Sequence, residues 1–557
     1  MSFVKKWNLP DWIAPLLIGL LGFFIIAGPR ILIPTNIAWL RNGDPSSYFL
    51  GWDFFRNRPW TLPPGLNPRY GLEFSNSIVY SDSNPLLALF FKPFSIFLPE
   101  PFQYFGIWIL ACILLQTWFG WKLVGLMTTD KNIRAIGAAF FLFSPIMIWR
   151  LHPYILHINL VAHFLILWSL YLTFSPNFKN RWLSWYSLMA LATLTHAYLL
   201  AMVLILFYTD LLDRRKKQEI TPNQSQKIIF IACGVVLFLA WLAGYFSLGP
   251  YMAMAGYGNN QMNLLSIIDP GKTDYGLWSH LLPDLPGDQI GHEAFNYLGL
   301  GMIFLALLVI PLAMSRPAGF KKAIQQRPYF YIAIFLFTLF AVSNHIKFGN
   351  NEFDFPLPVI VLNMAGIFRA SARMFWPSFY LIYFLMIYGV VKYFPNKAAT
   401  LILGLALSIQ LIDTSGGRGV IRDYLMTAPS STWDSPMKSD FWNDAAKNYK
   451  KVRWLRPAQD HEKWSQVAYF AALNKISTDS AYLARVNFSK FADVETRAQA
   501  SIATGQYDQD TLYIIEDSTV EEVKKHVNQS TDLLQKIDGF NVLAPRWLLR
   551  SSGKGGQ

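Results

Sequence analysis

The sequence has few charged residues and few cysteines, and it lacks the common ligand-binding motifs. Only 15% of its 557 residues are charged, against about a quarter in soluble proteins. The two cysteines, Cys112 and Cys233, lie within apolar runs, so no disulfide framework is expected. There is no zinc-ligand spacing, no Walker loop and no nucleic-acid-binding motif. These absences argue against a disulfide-rich domain, a zinc domain and a P-loop nucleotide-binding protein.

The sequence contains long apolar runs. Hydrophobic residues make up 53% of the chain, and several apolar runs approach or reach ~20 residues, the length that crosses a bilayer. The net charge is +13, but the basic residues mostly flank the apolar runs. This placement is typical of membrane topology and of contact with anionic lipid. The sequence therefore predicts a polytopic membrane protein that contacts the lipid bilayer and has no nucleic-acid partner.

The distribution of lysine and arginine predicts the topology. Lys5 and Lys6 precede the first apolar run, so an uncleaved first span begins in the cytoplasm. The strongest cytoplasmic signal is DRRKK at 213–217. All clearly basic turns fall on one side if the chain crosses about eleven times. The predicted spans are 13–27, 102–127, 133–149, 157–174, two short spans divided by Thr195-His196 within 182–212, 228–248, 295–314, 329–342, 375–391 and 398–412.

Two polar regions complete the predicted organisation. Residues 1–413 are expected to form a transmembrane domain with a large outer loop at 30–83, which is aromatic and rich in Pro and Gly. The apolar segment 84–99 is predicted to be re-entrant or interfacial, because Lys92 and Pro93 interrupt it and a full span there would place DRRKK outside. Residues 414–557 are polar, and an odd number of spans places them outside with the loop.

The polar C-terminal residues have the pattern of a small α/β domain. Helical spacing occurs at 440–450, 461–474 and 519–536. Short apolar runs typical of buried strands occur at 452–455, 482–486, 512–515 and 540–543. The predicted fold is therefore an α-helical polytopic membrane protein with a C-terminal soluble α/β domain.

Arginines on the predicted outer side are the first candidate site residues. Short outer loops usually have few arginines, yet this topology places many there. Their planar, permanently charged side chains suit phosphate or pyrophosphate, while headgroup contacts and salt bridges are the simpler explanation. Arg369 and Arg373 are four apart, so they are expected to share one helix face. The outer arginines are Arg41, Arg56, Arg58, Arg69, Arg150, Arg369 and Arg373.

Acidic residues of the first loop are candidates for a general base. A hydroxyl that attacks an activated sugar carbon must lose its proton, and a carboxylate can accept it. If phosphate is the leaving group, one base and a cationic clamp suffice. Asp44, close after the first span, is the predicted base, and Asp53, about two and a half helical turns later, is the second candidate. Asp82 is either a binding residue or the N-cap of the segment at 84–99.

Two further groups complete the candidate residues. Glu293, within 292–299, is expected to hold acceptor hydroxyls, with helix capping as the alternative. His152, His157 and His163 are five and six residues apart, which does not place three imidazoles on one helix face. We therefore expect no metal and no cofactor. His152 is predicted to line an outer cavity with Arg150.

Several segments together resemble a known class of enzymes. A first span followed by a large outer loop with an early Asp and a re-entrant element resembles the GT-C superfamily of membrane glycosyltransferases. More specifically, the resemblance is to a bacterial polytopic membrane family expected to share that fold. The segments that carry it are GDPSSYFLGWDFFRNRPW, SNSIVYSDSNPLLALFFKP, FQYFGIW, HEAFNYLGLG, FRASARMFWP and the C-terminal AYLARV, TLYII and DGFNVL.

The GT-C resemblance implies a donor sugar linked to a polyprenyl phosphate, an extracytoplasmic site and inversion at the anomeric carbon. It implies a multi-pass protein of the bacterial inner membrane that transfers a sugar to a cell-envelope glycan or lipid. Asp44 would match the first-loop acid, and Arg369 or Arg373 would hold the carrier phosphate. The first loop lacks an adjacent acid pair and an Asp-x-Asp motif. A flippase for lipid-linked sugars and a membrane O-acyltransferase using His163 remain alternatives.

Overall fold

Contacts in the computed structural model divide the chain into two units. The structure describes residues 10–74, 77–176, 178–249, 256–286, 293–316, 318–458, 461–482, 485 and 487–552. The helical unit comprises Met1–Ile33, Tyr104–Leu237 and Ala255–Ala428, and the mixed unit comprises Pro34–Gln103, Phe238–Met254 and Pro429–Gln557. The sequence led us to expect one boundary at residue 413. The contacts instead group the first loop with the C-terminal residues.

α-Helices make up most of the described part of the helical unit. Among its described residues, two short antiparallel hairpins pair Lys272–Thr273 with Gly276–Leu277 and His345–Phe348 with Asn351–Asp354. The helices are Ile13–Ile26, Phe105–Val124, Lys131–Leu142, Pro145–Trp149, Phe164–Phe174, Arg181–Thr195, Ala197–Lys216, Pro222–Ala243 (which runs on into the mixed unit), Leu300–Met314, Ala318–Gln326, Pro328–Val342, Val359–Ala365, Trp376–Tyr393, Asn396–Asp413 and Ser415–Leu425.

Several of these helices have the length and composition of membrane spans. Within the described residues, five segments meet both requirements, and further apolar helices such as Ile13–Ile26 and Pro328–Val342 are shorter. Every predicted span contains a helix, but the number of crossings and their orientation stay predictions. The five segments are Phe105–Val124, Lys131–Trp149, Pro222–Ala243, Ser371–Tyr393 and Asn396–Asp413.

The predicted division at Thr195-His196 is confirmed. Arg181–Thr195 ends there because His196 has extended backbone angles, φ −164° and ψ 136°. The His196 side chain then accepts a hydrogen bond from the backbone N–H of Tyr198 at 3.2 Å, which caps the next helix. A polar residue able to cap a helix therefore interrupts what composition alone would show as one long apolar run.

The mixed unit contains a five-stranded sheet with helices. From one edge to the other the strands are Ser477–Thr478, Lys451–Trp454, Thr511–Ile515, Phe540–Ala544 and Leu533–Ile537. The first three strands are parallel to one another, and Phe540–Ala544 pairs antiparallel with both of its neighbours. The helices of this unit are Asp44–Arg56, Pro85–Phe91, Asp440–Asn448, Trp464–Leu473, Phe488–Thr504, Val520–Lys524 and Trp547–Ser552.

Two predicted elements of the C-terminal region need correction. The helix expected at 519–536 ends at Lys524, and Leu533–Ile537 forms a hairpin with Phe540–Ala544. Asp538 and Gly539 have φ of 49° and 81°, as the tight turns favoured in hairpins require. At the predicted strand 482–486, Tyr482 and Arg485 lie outside any strand, and the other three residues lie outside the described part of the chain.

The first loop pairs directly with the C-terminal sheet. The N–H of Gly71 donates to the carbonyl of Thr478 at 2.9 Å, and the N–H of Thr478 donates to the carbonyl of Arg69 at 3.0 Å. Helix Asp44–Arg56 packs against helix Trp464–Leu473. The loop is thus held as part of the mixed unit, which is why the contacts do not divide the chain at residue 413.

Candidate active site

A buried cluster of charges in the helical unit is centred on Glu293. The Nη1 of Arg150 donates to Oε2 of Glu293 at 2.7 Å. The Nε of Arg373 donates to the same oxygen at 2.7 Å, and its Nη2 donates to Oε1. The Nδ1 of His157 lies 3.6 Å from Oε1. Arg150 and Arg373, which are far apart in sequence, therefore meet at the carboxylate of Glu293, and all three are predicted site residues.

Local structure places the two arginines of this cluster at the ends of helices and Glu293 in the segment before a helix. Arg150 follows helix Pro145–Trp149, and Arg373 lies in the short 3-10 turn Ser371–Phe375 before helix Trp376–Tyr393. Glu293 lies ahead of helix Leu300–Met314. Charged groups are less costly there than in the middle of an apolar helix.

The charges of the cluster are unbalanced. Burial alone would raise the pKa of Glu293, but the charges of Arg373, His157 and Arg150 outweigh it and hold that pKa well below its usual range. Burial lowers the pKa of Arg150 to about 10, so this side chain stays cationic at neutral pH. Two guanidinium groups therefore face one carboxylate, and the excess positive charge suits an anionic ligand.

Aromatic rings cover both guanidinium groups. The Cζ of Arg150 lies 5.2 Å from the ring centroid of Trp376, and that of Arg373 lies 4.7 Å from the ring of Tyr198. The Tyr198 hydroxyl accepts the backbone N–H of Ala370 at 2.8 Å. Sequence reasoning missed both aromatic residues. The available signals were that Trp376 lies within FRASARMFWP and that Tyr198 follows the Thr195-His196 break.

Arg369 does not join Arg373 on a common helix face, contrary to the prediction. Ala370 between them has φ −82° and ψ 69°, which interrupts the helical conformation. Arg369 is half-buried, and within the described part of the chain its side chain makes no hydrogen bond or ion pair.

His152 and His163 occupy separate environments. The ring of His152 stacks on Trp149, with 4.6 Å between centroids, and burial lowers its pKa to about 4. The Nδ1 of His163 lies 2.8 Å from the hydroxyl of Tyr380. The O-acyltransferase alternative expects an acidic residue or Asn as the partner of that histidine, and the structure supplies a tyrosine.

The two candidate bases lie on one helix of the mixed unit. Asp44 is the first residue of helix Asp44–Arg56 and is half-buried. Asp53 lies near the other end and is only 9% exposed. Burial raises its pKa to about 6, and the charge of Arg56 only partly opposes this shift. A carboxylate with a pKa near neutrality is suited to accept a proton in catalysis.

The other first-loop candidates have structural partners. Arg56 donates to the carbonyl oxygens of Pro99 at 3.0 Å, Ser95 at 3.2 Å and Leu98 at 3.3 Å. Arg58 donates to the carbonyl of Lys475 at 2.5 Å. These bonds occupy donors that the prediction assigned to phosphate.

Arg41 and Asp82 complete the predicted set. Arg41 pairs with Asp434 at 3.5 Å. The alternative role of Asp82 as an N-cap is not observed. Instead, the side chain of Asn84 caps helix Pro85–Phe91 by accepting the N–H of Leu87 at 3.2 Å.

Comparison with known proteins places the chain in a family. Residues 16–415 match the Domain of unknown function (DUF6311), and residues 441–545 match the DUF6311 C-terminal domain. The chain belongs to the DUF6311 family. No curated protein matches it.

Two solved structures are similar to this DUF6311 protein at low sequence identity. The oligosaccharyltransferase of Archaeoglobus fulgidus, tethered to an acceptor peptide containing the NVT sequon, has a TM-score of 0.42 at 10% identity, covering 93% of this chain and 70% of that chain. The archaeal oligosaccharyltransferase AglB of the same organism, in complex with an inhibitory peptide and a dolichol-phosphate, has a TM-score of 0.40 at 10% identity, covering 94% and 72%.

Proposed function

We propose that this DUF6311 protein is a membrane glycosyltransferase with a GT-C-like fold. It moves a sugar from a polyprenyl-phosphate donor to an acceptor in the cell envelope, either a glycan or a lipid. The protein is placed in the bacterial inner membrane with its N-terminus in the cytoplasm, and the C-terminal domain and the reaction are on the periplasmic side. The motif resemblance that starts with GDPSSYFLGWDFFRNRPW supports this assignment.

The observation that carries the proposal is the cluster of Arg150, Glu293 and Arg373. Its two guanidinium groups and single carboxylate leave an excess positive charge in a buried environment. Guanidinium groups bind phosphate oxygens through paired N–H donors, and the bond is stronger where water is excluded. In the proposed reaction these arginines hold the carrier phosphate and stabilise the charge that develops on it. Glu293 orients them, in place of the role toward the acceptor that the sequence suggested.

The proposed chemistry needs one carboxylate base. Asp44 accepts the proton of the acceptor hydroxyl, whose oxygen then bonds to the anomeric carbon of the donor sugar. The bond between that carbon and the phosphate oxygen breaks, and the polyprenyl phosphate leaves with the electron pair. Attack from the opposite face inverts the anomeric centre. Asp53 is the second candidate base, because its pKa of about 6 matches the task.

A comparison of envelope glycans tests the proposal. Cells with the wild-type protein, with Asp44→Asn, with Asp53→Asn or without the protein are analysed by mass spectrometry. We expect a hexose- or pentose-sized mass increment that the wild type adds and that Asp44→Asn and the deletion lack. Full activity of Asp44→Asn together with loss in Asp53→Asn would transfer the base role to Asp53.

Other outcomes of this comparison contradict the proposal. If no sugar increment appears but the pool of undecaprenyl-linked intermediates changes, the protein is a flippase. An acetyl-sized difference would identify an O-acyltransferase. In either case the assignment of the arginines to a leaving phosphate is wrong.

A further inference from the structure

Arg150, His163 and Trp376 are among the fully buried side chains of the helical unit with polar atoms that lack a hydrogen-bond partner among the described residues. These atoms are Nε and Nη2 of Arg150, Nε2 of His163 and Nε1 of Trp376. Each side chain is 0% exposed. Buried donors are nearly always hydrogen-bonded, because leaving one unpaired carries a desolvation penalty. Several such atoms close together indicate that a ligand or water supplies the missing acceptors.

The ring of Trp376 lies close to both of the other side chains. The guanidinium of Arg150 lies 5.2 Å from the centroid of the Trp376 ring. The imidazole of His163 lies 4.2 Å from the same ring, centroid to centroid. Trp376 therefore joins the other two into one group. Because Nη1 of Arg150 is bound to Glu293, the donors that lack partners are on the remaining positions of the guanidinium.

The chemistry of the unpaired atoms points to an acceptor-rich anion. The indole N–H of Trp376 and the N–H groups of Arg150 can only donate. The Nδ1 of His163 lies at hydrogen-bond distance from the hydroxyl of Tyr380. When Nδ1 accepts a hydrogen bond from that hydroxyl, Nε2 carries the ring proton, and the imidazole is a further donor. A tetrahedral phosphoryl group has several oxygens that can accept from such donors, and its charge balances the excess positive charge of the adjacent arginines.

We propose that Arg150, His163 and Trp376 form a phosphoryl-binding pocket, with Trp376 donating its indole N–H to a phosphate oxygen. The inference rests on the proposed function, and it adds His163 and Trp376 to the residues that hold the carrier. Either a lipid phosphate or free phosphate has the required chemistry. Within the proposed function, the lipid phosphate is the physiological ligand.

Isothermal titration of the purified full-length protein in detergent tests the pocket. The probes are farnesyl phosphate and inorganic phosphate, added separately. Trp376→Phe keeps an aromatic ring next to Arg150 and removes the indole N–H together with part of the ring, a loss of volume that the control variant shares. Farnesyl phosphate should bind it about tenfold more weakly. Arg150→Lys keeps the charge and removes the guanidinium fork, and we expect it also to weaken binding.

Trp278→Phe is the matched control. Trp278 is also a buried tryptophan whose Nε1 lacks a partner among the described residues. Its ring contacts Trp149, His152 and Phe295 instead of Arg150. This variant should bind farnesyl phosphate like the wild type. Thermal unfolding of each variant checks that it is folded, and only folded variants are compared.

The outcomes distinguish the pocket from the proposed function. If the wild type binds neither probe, or if Trp376→Phe and Trp278→Phe change affinity equally, water alone fills the pocket and the inference is wrong. Binding of inorganic phosphate without farnesyl phosphate would keep the pocket and assign it the free ion. If the pocket binds phosphate but cells show no sugar transfer, the proposed function is wrong and the inference about the pocket stands. If sugar transfer occurs and Trp376→Phe binds farnesyl phosphate like the wild type, the inference about the pocket is wrong and the proposed function stands.

Discussion

Glu293 and Asp53 are equally buried carboxylates with opposite pKa shifts. Glu293 is 8% exposed and Asp53 is 9% exposed. Despite desolvation, the charges around Glu293 hold its pKa well below the usual range, whereas burial raises the pKa of Asp53 to about 6. The two lie in different units, so each environment accounts for its own shift.

The neighbouring arginines explain the difference. Arg150 and Arg373 direct their N–H groups at the Glu293 carboxylate. Arg56, the arginine nearest to Asp53 in sequence, directs its Nη groups at backbone carbonyls and affects the carboxylate only through its charge. Glu293 is therefore kept ionised chiefly by the charges of Arg373, His157 and Arg150, to which the hydrogen bond from Arg373 adds. The charges of Arg56 and Lys475 do not compensate for the desolvation of Asp53. Glu293 suits a structural and orienting role, and Asp53 suits proton transfer.

The largest expected effect comes from removing the charge of Glu293. Glu293→Gln leaves two buried guanidinium groups without their counter-ion, which should cost about 3–5 kcal/mol of stability. Chemical denaturation in detergent measures the free energy of unfolding. Glu219→Gln is the control, because Glu219 is 43% exposed and pairs with Arg214, so it should cost at most about 1 kcal/mol. Equal losses would mean that Glu293 does not hold the cluster together.

The pKa of Asp53 predicts a pH-dependent contribution to stability. The folded protein binds this proton more tightly than the unfolded chain, so stability from Asp53 is highest below about pH 4 and is lost as the pH rises to about 6. The shift from 3.8 to about 6 corresponds to about 3 kcal/mol. In Asp53→Asn the loss of stability that comes from Asp53 should be absent. The loss that comes from Asp479, whose pKa burial also raises to about 6, remains in both proteins.

Denaturation of both proteins between pH 4 and pH 7 measures this contribution. The stability of wild type relative to Asp53→Asn should decline across the range. Parallel curves would contradict the assignment of a raised pKa to Asp53.

Arg56 should contribute less, through its bonds to backbone. Arg56→Gln loses the hydrogen bonds to the carbonyls of Ser95, Leu98 and Pro99, at a cost of about 2 kcal/mol. It also removes the charge that lowers the pKa of Asp53, so the pH dependence should move to higher pH. An unchanged pH midpoint in the variant would show that Arg56 does not act on Asp53.

The smallest effect is expected at Arg41. Its partner Asp434 has a side chain that is 98% exposed, and the N–O distance is 3.5 Å. Such pairs contribute about 0–1 kcal/mol, so Arg41→Ala should change the free energy of unfolding by no more than about 1 kcal/mol. A loss as large as that of Arg56→Gln would assign Arg41 a role that its ion pair does not explain.

Local signals in the sequence predicted local structure well. The break at Thr195-His196 followed from polar residues within an apolar run. The hairpin at Asp538-Gly539 also has a strong local signal, but the helical spacing of the residues before it favoured the wrong element. The helix Phe488–Thr504 was missed although Val494, Ala498 and Ile502, which are buried, have helical spacing.

The candidate site could be predicted only in part. Arg150, Glu293 and Arg373 were each selected for their charge on the predicted outer side. Their meeting depends on contacts between residues 143 and 80 positions apart, which spacing does not encode. The prediction of a face shared by Arg369 and Arg373 failed because backbone angles at Ala370 depend on tertiary packing. That the indole N–H of Trp376 lacks a hydrogen-bond partner among the described residues is likewise a property of the packed structure.

The most direct test of the central claim is the identity of the lipid that purifies with the protein. Mass spectrometry of lipids extracted from the detergent-purified protein compares wild type with Arg150→Gln and Arg181→Gln. Arg181 is an equivalent buried arginine, but it is bonded to Asp210 and to the carbonyls of Leu172 and Ser175. We expect a prenyl-phosphate-linked sugar with wild type and Arg181→Gln, and its loss with Arg150→Gln. Absence of such a lipid from the wild type, or its equal retention by both variants, would contradict the claim.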